Sequence, residues 1–123
     1  MIKISPEQRA YKRIRKLCED LDYNVYDRVP DDATFPFVII GEQFSQRVRD
    51  HKEHTVKDVQ TTIHIWHNDW KQRGTVSRMI RELEIEIMRE FGVEGEDIST
   101  QIILDNRTGT DMYHGIVEPD IRM

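Results

Sequence analysis

The sequence predicts an α+β fold in which two amphipathic helices pack on one face of a mostly antiparallel sheet. Two segments, residues 6–21 and a stretch after residue 69, place apolar side chains at spacings of three and four, the period of a helix. The segments between and after them alternate in polarity or run apolar, as strands do. The predicted order is helix, short strand, two strands, helix and two strands, within one domain covering residues 1–123.

The composition indicates a folded chain with a thin core and a charged surface. Hydrophobic residues make up 37% and charged residues 33% of the chain, which is too apolar for disorder. The net charge of -5 argues against direct nucleic-acid binding, which needs clustered cations. The longest apolar run, residues 35–40, is far shorter than the roughly 20 residues of a membrane span. Since no secretory signal begins the sequence, we expect a soluble cytosolic protein.

The first helix has a specific start signal. Ser5 can cap the amide of Gln8, and Pro6 fits the first helical position. Its predicted apolar stripe consists of Tyr11, Ile14, Leu17, Cys18 and Leu21. Its basic residues are Arg9, Lys12, Arg13, Arg15 and Lys16. We interpret the basic residues as a solvated face and the single cysteine as a small buried hydrophobe.

The next segments predict strands separated by a loop. Residues 35–41 form an apolar run that predicts a central strand buried on both faces, with Pro36 at its entrance. Residues 43–54 are polar and of mixed charge, which predicts a long exposed loop or a ragged hairpin tip. Residues 55–67 alternate in polarity, as a half-buried strand does.

The second helix and a terminal hairpin complete the prediction. The apolar stripe of the helix consists of Val76, Met79, Ile80, Leu83, Ile87 and Phe91. Gly92 is placed to cap it in the left-handed conformation. Residues 98–104 and 112–117 predict two strands joined by a turn at residues 105–109.

The sequence predicts no enzymatic site. His64 and His67 recur at a metal-like spacing but would point to opposite faces of a strand, and His51 with His54 supplies only two ligands. We therefore expect no bound transition metal, and we find no motif for a cofactor. The abundant glutamates of the second helix are interpreted as surface ion pairs, such as Glu82 with Arg78 and Glu86 with Arg89.

Three segments together resemble a known family. They are the turn at residues 25–30 (VYDRVP), the strand at residues 35–41 (FPFVIIG), and the strand at residues 62–66 (TIHIW) followed by an amphipathic helix. In this order and spacing they resemble the tail-completion, or tail-to-head joining, proteins of long-tailed bacteriophages. The resemblance covers most of the chain, from the first helix to the terminal hairpin.

The resemblance implies a structural protein of a phage or prophage that completes the head-proximal end of the tail. It implies a ring, hexameric in similar tail terminators, and as partners the tail-tube protein and the head connector proteins. The protein would lie in the host cytoplasm during assembly and in the head-tail neck of the mature virion. The alternatives are a head-closure or other neck protein and, in another class, a small host hydrolase or regulatory binding domain.

The family supplies no ligand set to transfer, so the candidate interface follows from physical reasoning. Residues 43–54 and the turn at 105–109 offer polar surface beside rigid strands, although both also fit plain solvated loops. Trp66 is expected to close the edge of the core, while Trp70 fits either a cover for the second helix or an anchor for a partner. The candidate interface residues are Arg47, Arg49, Asp50, Lys52, Glu53, Trp70, Asn106 and Arg107. Shortening residues 45–54 is expected to leave the domain folded.

Overall fold

The computed structural model describes residues 4–48, 56–107 and 109–123, which form two helices and one five-stranded sheet. The helices are α1 (Pro6–Asp20) and α2 (Arg73–Phe91), and the strands are β1 (Asn24–Val25), β2 (Phe37–Val48), β3 (Val56–His67), β4 (Ile98–Asp105) and β5 (Met112–Arg122). The strand order is β1-β2-β3-β5-β4. Only β1 and β2 pair in parallel, so the predicted α+β class is confirmed.

The core lies between the two helices and one face of the sheet. Val59, Ile63 and Ile65 of β3 are completely buried, as the alternation predicts. The buried residues of α2 are Val76, Met79, Ile80, Leu83 and Ile87. Gly92 ends α2 with a φ of 68°, which confirms the predicted left-handed cap. Among the described residues, no helix is long and apolar enough to cross a membrane.

The first helix also follows its prediction. The Ser5 hydroxyl accepts a hydrogen bond from the amide of Gln8 at 3.1 Å. Cys18 is completely buried, and this burial raises the pKa of its thiol to about 12. The thiolate is therefore strongly disfavoured, so Cys18 serves as a small apolar core residue.

For residues 43–54 the prediction of an exposed loop is wrong in the first half, where antiparallel pairing fits the alternative of a hairpin. Residues 43–48 continue β2, and they pair with β3 from Gln43 opposite Thr61 to Val48 opposite Val56. The shift of register between Ile40 and Gln43 marks a bulge. Two polar side chains of this segment are satisfied within the fold, because Gln43 and Ser45 hydrogen-bond to Glu7 of α1. Residues 49–55 lie outside the described part of the chain.

The position of β2 in the sheet also corrects the sequence prediction. β1 pairs only with Phe37 and Val38, and these are the two buried residues of β2. The remainder of β2 has β3 on one side and no strand of the described chain on the other. Strand β2 is therefore a central strand only at Phe37 and Val38 and an edge strand over the rest of its length.

The predicted terminal hairpin is confirmed, but its second strand is longer than expected. β4 and β5 pair without a register shift, from Ile98 opposite Pro119 to Asp105 opposite Met112. β5 continues to Arg122 because its second half also pairs with β3. The hairpin thus inserts β5 between β3 and β4, and β4 becomes the outermost strand.

Candidate interaction surface

The helices leave one face of the sheet uncovered, and we call it the open face. It carries the side chains that alternate with the core residues, including Phe44 on β2, His64 and Trp66 on β3, and His114 on β5. The ring of Trp66 stacks on that of His114 with a centroid separation of 3.8 Å. Aromatic and polar groups therefore occupy the face that a simple two-layer domain would give to solvent.

Two histidines and a glutamate form a hydrogen-bonded chain across the open face. Nδ1 of His64 lies 2.7 Å from Nε2 of His114, and Nε2 of His64 lies 2.6 Å from a carboxylate oxygen of Glu42. Burial, and next the neighbouring His64, lower the pKa of His114. A side chain on Gly41 would place its Cβ 2.9 Å from the His64 ring, so glycine leaves room for this imidazole.

This chain of side chains fixes the position of the His64 ring between His114 and Glu42. Both ring nitrogens of His64 are engaged, and one of the two histidines must accept while the other donates. His67 lies on the opposite, helix-covered face, as the strand alternation predicts. In residues 4–48, 56–107 and 109–123, no three His, Cys, Asp or Glu side chains converge as metal ligands.

An apolar groove of about 610 Å³ lies at the end of the open face where β2 begins and β3 ends. It is lined by Val29, Phe37, Ile39, Trp66, Asp105, Arg107 and Met112. The Asp105 carboxylate accepts hydrogen bonds from the side chain and amide of Arg107, which lower its pKa to about 2. The groove therefore has an apolar floor and a charged rim, the pattern of protein interaction surfaces.

A family model described as Tail completion protein gp17 matches residues 9–122. The chain belongs to this phage tail-completion family. No curated protein matches the sequence significantly. The family is one of virion assembly, so the open face and its groove are candidate assembly surfaces of this tail-completion protein.

The sequence-predicted interface residues of this tail-completion protein fall into two separate places. Arg107 lines the groove and Asn106 precedes it in the chain, whereas Trp70, which is 64% exposed, lies at the same end of the sheet but is not part of the groove lining. The Trp70 carbonyl accepts a hydrogen bond from the Tyr113 hydroxyl at 3.0 Å. Arg47 is exposed near the opposite end of β2. Arg49, Asp50, Lys52 and Glu53 lie outside the described residues, so their role stays a prediction.

Trp66 differs from the sequence expectation, while one of the two alternatives left open for Trp70 does not fit its exposure. Trp66 does not close the core, because it stands on the open face beside His114. Its neighbours Ile65 and His67 already indicated this, since adjacent residues of a strand point to opposite faces. Trp70 does not form a buried cover for α2, because its exposure leaves most of the indole accessible.

Three of the five basic residues of α1, namely Arg13, Arg15 and Lys16, form ion pairs within the described chain. Arg13 binds Glu90 at 2.9 Å, and Arg15 binds both Glu19 at 2.9 Å and Asp27 at 2.7 Å. The two predicted pairs on α2 also form, with distances of 2.6 Å for Arg78 and Glu82 and 2.9 Å for Arg89 and Glu86. These three basic residues are therefore engaged in surface pairs, in agreement with the interpretation of the basic run as a solvated face.

The sequence prediction missed a polar contact, here called the tether, between Glu7 at the start of α1 and the strand residues Ser45 and Lys57. One carboxylate oxygen of Glu7 lies 2.7 Å from both the Ser45 hydroxyl and the Lys57 ammonium group. The Gln43 side chain donates to the Glu7 carbonyl at 2.9 Å. Ser45 was assigned to the loop, so no sequence signal placed it beside α1. Shortening residues 45–54 would remove part of this tether and four strand pairs, contrary to the expectation that the segment is dispensable.

Replacing Glu7 by glutamine is expected to lower the free energy of unfolding at pH 7 by about 1–2 kcal/mol. The hydrogen bonds from Lys57 and then Ser45 lower the pKa of Glu7 from 4.5 to about 2. A lowered carboxyl pKa stabilises the fold above pH 4.5, and this contribution is lost as the pH falls toward 2. Urea unfolding of parent and Glu7→Gln proteins should therefore differ at pH 7, and the difference should shrink below pH 4.5 and vanish only as the pH falls toward 2.

The matched control is Glu19→Gln, which removes the more exposed pair with Arg15. It should change the unfolding free energy by less than about 0.5 kcal/mol. A constant difference between the parent and Glu7→Gln from pH 7 to pH 3 would contradict the role assigned to the ionised carboxylate.

Proposed function

We propose that this tail-completion protein is a non-enzymatic subunit of a ring that completes the head-proximal end of the phage tail and joins it to the head connector. The observation that carries the proposal is the uncovered open face with its apolar groove, on a chain that belongs to a tail-completion family. Extended apolar surface on a small domain is typical of interaction sites.

Assembly chemistry fits these side chains better than catalysis does. The groove presents Val29, Ile39 and Trp66 to a partner, while Arg107 and Asp105 at the rim neutralise each other. Exposed Trp70 lies at the same end, and tryptophan is enriched among residues that dominate binding energy. This end of the sheet is therefore the proposed docking region for a tail or connector protein.

The test replaces Trp70 by glutamate in a phage whose own copy of the gene is disrupted. We expect a folded protein and at least a tenfold loss of infectious particles relative to complementation with the parent protein, since the charge would be placed in the contact. Lys12→Glu, an exposed change on α1, is the matched control and should restore normal yield. Circular dichroism of both purified variants checks the fold.

Electron microscopy of particles made without the protein distinguishes the possible assembly roles. Full heads beside unjoined tails or tails of abnormal length are expected for tail completion. Heads that have lost their DNA beside normal tails would instead indicate head closure and overturn the proposal. Normal yield with Trp70→Glu would remove Trp70 from the docking region.

A further inference from the structure

The outermost strand of the sheet, β4, has an unusually unprotected edge. All of its eight residues pair with β5 in one unbroken register, and no strand of the described chain lies on its other side. Residues 98–104 have the sequence ISTQIIL, without a charge, a proline or a glycine. Natural edge strands usually carry such blocking features, because a regular apolar edge attracts another strand.

The register shows which backbone groups of β4 point outward. Lys57 and Met123 exchange both of their backbone hydrogen bonds, so odd-numbered residues of β5 direct their backbone toward β3. Even-numbered residues of β5 therefore direct theirs toward β4, where they face odd-numbered residues. The outward amides of β4 are consequently those of Ile98, Thr100, Ile102 and Leu104.

Among the described residues, residues 43–48 of β2 form a second open edge of the same sheet. By the same alternation, Phe44 and Gln46 bond to β3, while Ser45 and Arg47 direct their amides outward. Phe44 is 66% exposed on this strand. Three of the six most exposed large apolar side chains, Phe44, Ile103 and Leu104, thus lie on the two edge strands.

We propose that β4 of one subunit adds to residues 43–48 of β2 in the next subunit, so that the sheet continues from copy to copy. This inference rests on the proposed ring. The contact joins two different surfaces of the same chain, and such a head-to-tail contact closes into a ring when the rotation between neighbours permits it. A second copy is the natural occupant because one chain supplies both unpaired edges.

The topology sets the direction of this pairing. β2 runs opposite to β3, β3 opposite to β5 and β5 opposite to β4, so β2 and β4 are antiparallel within one subunit. Neighbours in a ring have similar orientations, and β4 therefore meets the next β2 in the antiparallel sense. The four long strands then repeat without a break in the antiparallel pattern.

Charge and apolar surface both suit the antiparallel arrangement. It brings Arg47, near the end of β2, toward the acidic residues Glu94, Glu96 and Asp97 that precede β4. It also places Phe44 beside the open-face side chains of β4, Gln101 and Ile103. The pairing therefore covers exposed apolar side chains and opposes unlike charges.

The first test is disulfide cross-linking between Gln46→Cys in one subunit and Ser99→Cys in the next. Both positions are exposed on the open face. In the proposed antiparallel pairing they form a non-hydrogen-bonded pair, in which side chains approach closely. Pairs of Gln46→Cys with Gln101→Cys and Ile103→Cys cover the neighbouring registers. Buried Cys18 supplies no competing thiol. The proteins are first bound to tails from a phage lacking the gene and are then oxidised.

At least one protein that carries both cysteines should give covalent dimers, trimers and larger species, up to the number of subunits in the ring. Proteins with a single introduced cysteine should give no such ladder. Dimers from Ser99→Cys alone would show β4 pairing with β4 and overturn the proposal. A cross-link to a protein of different mass would show that a tail protein occupies the edge, and so would also overturn it. Absence of any ladder across the three registers counts against the pairing.

The second test replaces Thr100 by proline, which removes one outward amide without removing a hydrogen bond to β5. Thr100→Val keeps the amide and is the matched control. We expect Thr100→Pro to fold, to lose at least tenfold in infectious-particle yield and to lose the cross-linked ladder, while Thr100→Val retains both. Equal yields and ladders for the two variants would overturn the inference. Failure of the parent protein to restore particles would instead overturn the proposed function.

Discussion

Replacing Ile80 by aspartate is expected to lower the free energy of unfolding by about 3–5 kcal/mol. Small domains usually have a total stability of about 5–15 kcal/mol, so a protein near the lower end of this range would be largely unfolded by the change. Ile80 is 6% exposed and packs from α2 toward β5. An aspartate there would lose the apolar contact with β5 and place a carboxylate beside a polar cleft that Arg73, Ser77 and Arg81 also line. This polar lining offsets only part of the cost. Thermal unfolding followed by circular dichroism measures the loss.

Two further variants separate the charge from other effects at this site. Ile80→Ala removes volume without adding charge and should cost about 2–4 kcal/mol. Glu84→Ala, one turn further along α2, should change stability by less than about 0.5 kcal/mol, because Glu84 is only partly buried and forms no ion pair among the described residues. Equal losses for Ile80→Asp and Glu84→Ala would mean that the helical register is wrong.

The register of α2 was predictable because its signal is local. Residues three and four positions apart lie on one face of any helix, so the stripe from Val76 to Ile87 identified the buried side without knowledge of what covers it. The alternation of Val59, Ile63 and Ile65 identified the buried face of β3 in the same way. Caps such as Gly92 are equally local.

Features that depend on distant pairing were not predictable. Residues 43–48 are polar, and only their pairing with β3 makes them a strand. The contact of His64 with His114 requires β5 to lie beside β3, which the spacing of residues along the chain does not reveal. Trp66 shows a different difficulty, because its alternation with Ile65 indicated the open face while its residue type suggested the core.

Gly115 also belongs to the features set by tertiary packing. In sequence it is a glycine inside a predicted strand, a position that usually weakens pairing. In the fold it lies opposite Ile65 on β3 and beneath α2. A Cβ at this position would lie 2.9 Å from Cγ1 of Val76, 3.2 Å from Cδ1 of Ile80 and 3.3 Å from Cβ of Ile65. The absence of a side chain therefore lets α2 approach the sheet closely.

Replacing Gly115 by alanine is expected to lower the unfolding free energy by about 1–3 kcal/mol, and replacement by valine by more. Alanine restricts the unfolded chain more than glycine does, a gain of about 0.5–1 kcal/mol that offsets only part of this cost. The Ile65 Cβ is fixed to a paired strand, and Val76 is held to one preferred rotamer in its helix. Relief therefore requires α2 to move away from the sheet, with loss of contact along its apolar stripe.

A double-mutant cycle with Val76→Ala tests whether this contact is the cause. Each single change should destabilise the protein. In the double variant, the added methyl of Gly115→Ala should fill part of the space that Val76→Ala vacates. The double variant should therefore lose less unfolding free energy than the sum of the two single losses, by about 0.5 kcal/mol or more. Gly74→Ala is the matched control, because a Cβ at Gly74 in α2 meets no atom within 4 Å. It should be neutral or stabilising by up to about 1 kcal/mol. Strict additivity of Gly115→Ala and Val76→Ala in urea unfolding would show that the close approach of α2 is not the source of the cost.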